Sequence, residues 1–188
     1  MTISEQTLEL VEDFMRSPRL MIGDQPMLRS QCDDIPEGFD ISNIFEPMLH
    51  FMKAHRGVGL AAPQIGLPIN VLVAHCPDWV YGEPIVLVNP VIETRWEETA
   101  VEDEGCLSFP GITIPVERSR RISLTAQNET GIVLCELEAR VVQHEYDHLQ
   151  GICHIDYKNN LPRQQRRRIE RDLVKFEERV EKWKKTNQ

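Results

Sequence analysis

Val141-Val142-Gln143-His144-Glu145-Tyr146-Asp147-His148-Leu149 places two histidines four residues apart in a run with apolar flanks. On a helix each residue advances ~100°, so two residues four apart lie about 40° from one another on one face. Both imidazoles can then reach one metal ion. Glu145 follows the first histidine and points to the side, where it can handle the proton of a water on that ion. A bare histidine pair at this spacing is most often a surface pair or a satisfied core pair. The adjacent glutamate and the apolar flanks change the balance, because buried imidazoles and carboxylates are costly unless a cation holds them together. The stretch therefore predicts a buried helix carrying the chemistry of a metal hydrolase.

Outward from it, the pattern changes twice. Residues 3–15 read as an amphipathic helix through Leu8, Val11, Phe14 and Met15, with Thr2 and Glu5 as a capping box. Ile41, Ile44, Phe45, Met48, Leu49 and Met52 form a second apolar stripe, in which Pro47 implies a kink or a late start. From Ile69 the period becomes that of strands: 69–74, 85–88, 92–101, 112–116, 122–127 and 132–137, with Asn128-Glu129-Thr130-Gly131 as a hairpin turn. From Asn160, with Pro162 in the first turn, a long C-terminal helix carries Ile169, Leu173, Phe176, Val180 and Trp183 as a heptad-like seam. This predicts an α+β domain: antiparallel β-sheets around a central metal-binding helix, with a long C-terminal helix. The expected organisation is one catalytic domain over 1–188, with 1–20 as an N-terminal helical extension and 160–188 as the C-terminal helix.

Composition narrows the function. With 188 residues, 41% hydrophobic and 27% charged, the chain has the make-up of a soluble globular protein. A net charge of -9 argues against DNA or general nucleic-acid binding, and no apolar run is long enough for a bilayer. Glu5, Glu9, Glu12 and Asp13 make the N-terminus unlike a secretory or transit signal, so a bacterial-type cytoplasm is the expected location. The five cysteines, Cys32, Cys76, Cys106, Cys135 and Cys153, follow no disulfide framework and read as thiols. Arg163, Arg166, Arg167, Arg168 and Arg171 read first as a solvated face and second as a transient ribosome contact. The seam reads first as packing against its own domain and second as a dimer contact, so the expected state is a monomer or weak dimer.

Two histidines do not complete a catalytic site, which typically has three protein ligands and one open position. Cys106, His75, His50, His55, His154 and the carboxylates are all candidates for the third. Cys106 lies in a loop rich in Gly and Pro, Glu104-Gly105-Cys106-Leu107-Ser108-Phe109-Pro110-Gly111, and its thiolate would suit Zn²⁺ or Fe²⁺. Spacing alone leaves the choice open.

Three segments together resemble the peptide deformylase family: Gly57-Val58-Gly59-Leu60-Ala61-Ala62-Pro63-Gln64-Ile65-Gly66, then Glu104-Gly105-Cys106-Leu107-Ser108, then Gln143-His144-Glu145-Tyr146-Asp147-His148-Leu149-Gln150-Gly151. They come in the family's order, and the likeness runs from about Ile22 through Tyr157. The resemblance implies Cys106, His144 and His148 as metal ligands and Glu145 as general base and acid. Gln64 and the backbone N–H of Leu107 would donate to the oxyanion. The backbone at Val58, Gly59 and Gly105 would hold an extended peptide, and Leu137 and Val141 would line a methionine pocket. It further implies one divalent ion per chain, with Fe²⁺ expected in the cell and Zn²⁺, Ni²⁺ or Co²⁺ as alternatives. The implied substrates are formyl-methionyl nascent peptides, deformylated with release of formate.

Other readings bear on single residues. Gln64 could simply cap the turn after Pro63. Arg118 could pair with Glu104 and brace the ligand loop. Asp147 could orient a ligand or form a surface salt bridge, and Tyr146 and Leu149 read as core. Glu136 stands where the family commonly has glycine, and Cys153-His154 replace an apolar pair. Two rival functions share the motif: a zincin-like peptidase, and a non-catalytic binder whose metal would be closed by four protein ligands.

Overall fold

The computed structural model of the chain describes residues 4–75 and 82–186. Helix α1 spans Glu5–Arg16 and is capped by Ser4, whose hydroxyl accepts from the Thr7 N–H at 3.1 Å; the expected cap residue Thr2 lies outside the described residues, as does Cys76. Helix α2 spans Phe45–Ala54 after a 3-10 turn at Ser42–Ile44. Pro47 thus falls in the first turn, where its missing N–H costs nothing, and the late start is the outcome.

Among the described residues, eight strands form three antiparallel groups. β1 (Gly59–Ala61), β2 (Val71–Ala74) and β3 (Ile85–Val88) lie in that order. β4 (Val91–Arg95), β7 (Arg121–Ala126) and β8 (Glu129–Cys135) form the second sheet in the order β4-β7-β8. β5 (Thr99–Gly105) and β6 (Thr113–Ser119) make a two-stranded ribbon. The run expected as one strand over 92–101 is broken at Trp96-Glu97-Glu98, because β4 and β5 belong to different sheets. Ala126 pairs with Glu129, so the hairpin turn is Gln127-Asn128, ahead of the expected position. Leu137, assigned by its pattern to a last strand, is instead in the first turn of α3 (Glu136–Leu149). Helix α4 spans Arg163–Thr186.

β2 explains the layering. It is buried on both faces, as its unbroken apolar run requires. Val71 and Val73 face a cluster with Leu60 and the α1 and α2 residues Phe14, Met48, Leu49 and Met52. Leu72 and Ala74 face a second cluster with Ala139, Val142 and Leu149 of α3 and Ile122, Leu124 and Leu134 of the second sheet. α3 is therefore held between sheets. A third cluster packs Ile169, Leu173 and Phe176 of α4 onto Phe109, Ile112, Ile114 and Cys153. The C-terminal seam docks on its own chain over these three residues, while Trp183 at its end is 66% exposed.

Candidate metal centre

α3 delivers His144 and His148 one turn apart, with ring centroids 5.1 Å apart. Cys106 enters from the loop that follows β5, and its Sγ lies 3.2 Å from His148 Nε2. One ligating atom from each of Cys106, His144 and His148 lies within 4.8 Å of the others, and no fourth His, Cys, Asp or Glu among the described residues joins the group. The other candidates are placed elsewhere. His50 is an exposed neighbour of Glu46, and His55 stacks on Phe51. His75 ends β2, its N–H donating to the Val58 carbonyl. His154 is buried against the ring of His144, with its Nε2 3.3 Å from the Ile112 carbonyl.

Behind the ligands lies a buried charge network. Glu104, on β5, accepts from His144 Nδ1 at 3.0 Å, which leaves Nε2 of that ring for an ion. Arg118 on β6 grips both oxygens of Glu104 at 3.0 Å and reaches Asp147 at 2.5 Å. The Arg118–Glu104 pair is thus present, and it joins β6, β5 and α3. Asp147 contacts neither histidine in this arrangement. It is buried, and it takes Arg118 and the Tyr157 hydroxyl at 2.7 Å. Burial would raise the Glu104 carboxyl, but the hydrogen bonds from His144 and Arg118 outweigh it and hold it down at about 2. Burial likewise opposes charge on His144, yet its bonds to Cys106 and Glu104 raise it well above the usual value. His148, buried beside His144, is pushed well below.

Glu145 is buried against Gly59 of β1 so closely that a Cβ there would sit 2.3 Å from Glu145 Oε1. Burial pushes its carboxyl up to about 7, and its Oε2 has no protein partner among the described residues. A carboxyl with that affinity can both take and return a proton near neutral pH. Gln64 takes the capping role considered for it. Its Oε1 accepts from the Ala61 N–H at 2.8 Å, capping the turn, and this fixes its amide toward Cys106 Sγ at 3.4 Å and Ser108 Oγ at 3.3 Å. Leu107 follows Cys106, half-buried.

The remaining expected site residues are less concentrated. Val58 is 42% exposed beside Gly59, and Gly105 ends β5 with open space where a side chain would be. Val141 packs within the second cluster, whereas Leu137 is 46% exposed, so the two do not share one environment. Sequence reading missed the role of Arg140, a buried residue on α3 that reaches Glu104. An arginine inside a charged helix reads as solvated, and nothing local marks it as buried.

The donor set fits a divalent ion. One thiol and two imidazoles converge, the second nitrogen of His144 is engaged by a carboxylate, and Glu145 is buried with an oxygen that has no hydrogen-bond partner among the described residues.

Comparison with known proteins supplies an independent view. The sequence profile of the polypeptide deformylase family matches residues 19–164. A peptide deformylase of Synechocystis sp. is 39% identical over 145 residues, covering 74% of this chain and 77% of its own length. The crystal structure of Thermotoga maritima peptide deformylase matches with a TM-score of 0.67 at 37% identity, covering 74% of this chain and 95% of that one. Arabidopsis thaliana peptide deformylase 1B, solved with an inhibitor, gives a TM-score of 0.75 at 35% identity over 87% of this chain and 92% of its own.

Proposed function

The chain belongs to the polypeptide deformylase family, and from that premise we propose that Cys106, His144 and His148 form its metal centre and Glu145 its acid–base group. The activity is hydrolysis of the N-terminal formyl group of nascent polypeptides, with formate and a free amine as products. One metal ion serves it. The convergence of the three donor atoms beside a buried glutamate carries the assignment of residues. The whole chain acts as one catalytic unit, with α1 and α4 as extensions packed on it.

A divalent ion held by these three groups would lower the pKa of a water toward ~7 and polarise the formyl oxygen. Glu145 accepts the proton of the attacking water and returns it to the leaving nitrogen. The Gln64 amide and the Leu107 N–H donate to the oxyanion as the carbon becomes tetrahedral; loss of one such donor typically costs ~2.7–4 kcal/mol. The peptide enters as a strand. β1 and β5 are edge strands that both run into the cluster, β1 through Gly59 against Glu145 and β5 through Gly105 before Cys106. No further strand joins either edge among the described residues, which suits addition of an extended chain. The exposed Leu137 at the start of α3 offers apolar surface for a methionine side chain, with Val141 packed in the core one turn further on; burial of such a side chain contributes roughly 2 kcal/mol.

Fe²⁺ is the ion this reading assigns in the cell, and Zn²⁺, Ni²⁺ or Co²⁺ suit the same sulfur and nitrogen donors. A bacterial-type cytoplasm, a monomeric or weakly dimeric state and a transient ribosome contact through the arginines of α4 complete the proposal.

Formate release from formyl-Met-Ala-Ser, wild type against Glu145→Ala, tests it. The expected outcome is formate without chain cleavage and a rate at least ~10²-fold lower in the variant, with its metal content kept. Internal cleavage of unblocked peptides would favour a zincin-like peptidase. Equal rates in both proteins would remove Glu145 from the chemistry.

A further inference from the structure

Glu104 is saturated. Its Oε2 accepts from His144 Nδ1 and Arg118 Nη2, each at 3.0 Å. Its Oε1 accepts from Arg118 Nε at 3.0 Å and from Arg140 Nη1 at 2.7 Å. Four donors occupy a group that offers about four lone-pair sites, so the carboxylate has no freedom to rotate.

The fourth donor comes from the metal helix itself. Arg140 lies one turn before His144, on the same face of α3. Only 7% of it is exposed. Besides Glu104 it donates from Nη1 to the Val116 carbonyl at 3.0 Å and from Nη2 to the Ala100 carbonyl at 2.7 Å, and its Nε lies 3.1 Å from Glu102 Oε2. Ala100, Glu102 and Glu104 are alternate residues of β5, and Val116 is on β6. One guanidinium therefore spans three positions of the strand that leads into Cys106. A point charge could not do this; the planar fork of arginine can.

Charge balance adds a second argument. Arg118 serves two buried carboxylates, Glu104 and Asp147. With Arg118 alone the cluster would hold two negative charges against one positive. Arg140 supplies the second cation, and an uncompensated buried charge is strongly unfavourable.

We propose that Arg140 is a positioning residue of the metal centre. By pinning Glu104 and β5 to α3 it fixes the direction of His144 and the register of Cys106 relative to the two histidines, and so holds the ion. This rests on the assignment of Cys106, His144 and His148 as ligands. It touches no substrate, so its loss acts on metal retention and kcat, not on KM.

The test uses the full-length, nickel-loaded protein. Arg140→Met and Arg140→Lys are each made alone and on a Glu104→Gln background. Release of Ni²⁺ into excess chelator is followed beside the thermal midpoint. Removing an outer partner of a metal ligand typically weakens the site ~10–100-fold. Arg140→Met should therefore release nickel about tenfold faster than wild type, and Arg140→Lys should fall between. On the Glu104→Gln background the same substitutions should change release by a smaller factor than on the wild-type background, because the path through Glu104 is already cut while the contacts to Ala100 and Val116 remain. Release at the wild-type rate despite a lowered midpoint would make Arg140 merely structural and overturn the proposal. An equal factor on both backgrounds would overturn it as well. If Arg140→Met does not fold, Arg140→Lys carries the same comparison. Formate release by the wild type is recorded in parallel: its absence would sink the functional reading, whereas the nickel rates judge Arg140 separately.

Discussion

Glu136 opens α3 with φ of +51°, a region that costs an L-residue about 1–2 kcal/mol. Its N–H donates to the Arg120 carbonyl at 2.7 Å and its carboxylate meets the Arg120 guanidinium at 2.8 Å, which holds the conformation. A glycine would adopt this φ without that cost. Glu136→Gly should leave stability within ~1 kcal/mol, since relief of strain is offset by the larger entropy of an unfolded glycine. Glu136→Val, β-branched, should cost more than ~1 kcal/mol by chemical denaturation. His154 carries a different cost. Burial, with the charge of His144 adding to it, pushes the imidazole down to about 4, and its Nδ1 has no partner among the described residues. The groups that face it are His144 on α3, Glu104 on β5 and Arg118 on β6. The unfolded chain takes the proton first as pH falls, so stability drains from about 6.5 downward and the full loss is reached near 4. One pKa unit is worth about 1.36 kcal/mol, so metal-free wild type should lose about 2 kcal/mol more than His154→Phe on going from pH 7 to pH 5. Identical pH profiles would remove that account. At this scale the histidine pair with its adjacent glutamate could be read from the chain because His144, Glu145 and His148 obey a short helical spacing, whereas spacing left the third donor, Cys106, open. Arg140 could not, since its partners on β5 and β6 lie 24 to 40 residues away.

β1 is three residues long, Gly59–Ala61, and escaped sequence reading because so short a run has no measurable period. It nonetheless sets the distance between the first sheet and α3. A Cβ on Gly59 would meet Glu145 Oε1 at 2.3 Å, Cγ at 2.7 Å and Cδ at 2.8 Å. Gly59→Ala should therefore displace the carboxyl and lower kcat by at least ~10²-fold, with the unfolding midpoint nearly kept, since the obstructing atoms belong to a side chain. A variant with full kcat would show that Glu145 works from another position. The longer elements were legible where one face is buried: α1, α2 and α4 follow their apolar stripes, and β2 its unbroken run of four buried residues. The division of 92–101 into β4 and β5 was not. Both halves have strand-like composition, and only the partners they find, β7 and β6, separate them.

The molecule as a whole places its candidate metal centre where the loop after β5, the helix α3 and the edge of β1 meet, with Cys106 half-buried. A thiolate holding Fe²⁺ in such a place should be sensitive to oxidants. The iron-loaded protein is expected to lose activity in air or dilute peroxide over minutes to hours, and exchange for Ni²⁺ should protect it. Equal lifetimes of the two forms in the formate assay would count against iron as the native ion. Which sheets surround α3 could be anticipated only as α+β; the one cluster that holds it joins residues of both three-stranded sheets that lie far apart in sequence. The edges of β1 and β5, which no further strand joins among the described residues, carry one more consequence. Any flexible segment able to extend could stitch itself onto such an edge, an aggregation partner as readily as a client. Glu102 and Asp103 on β5 are exposed acids, and charge on a strand that could add a further strand disfavours stacking of like chains on it.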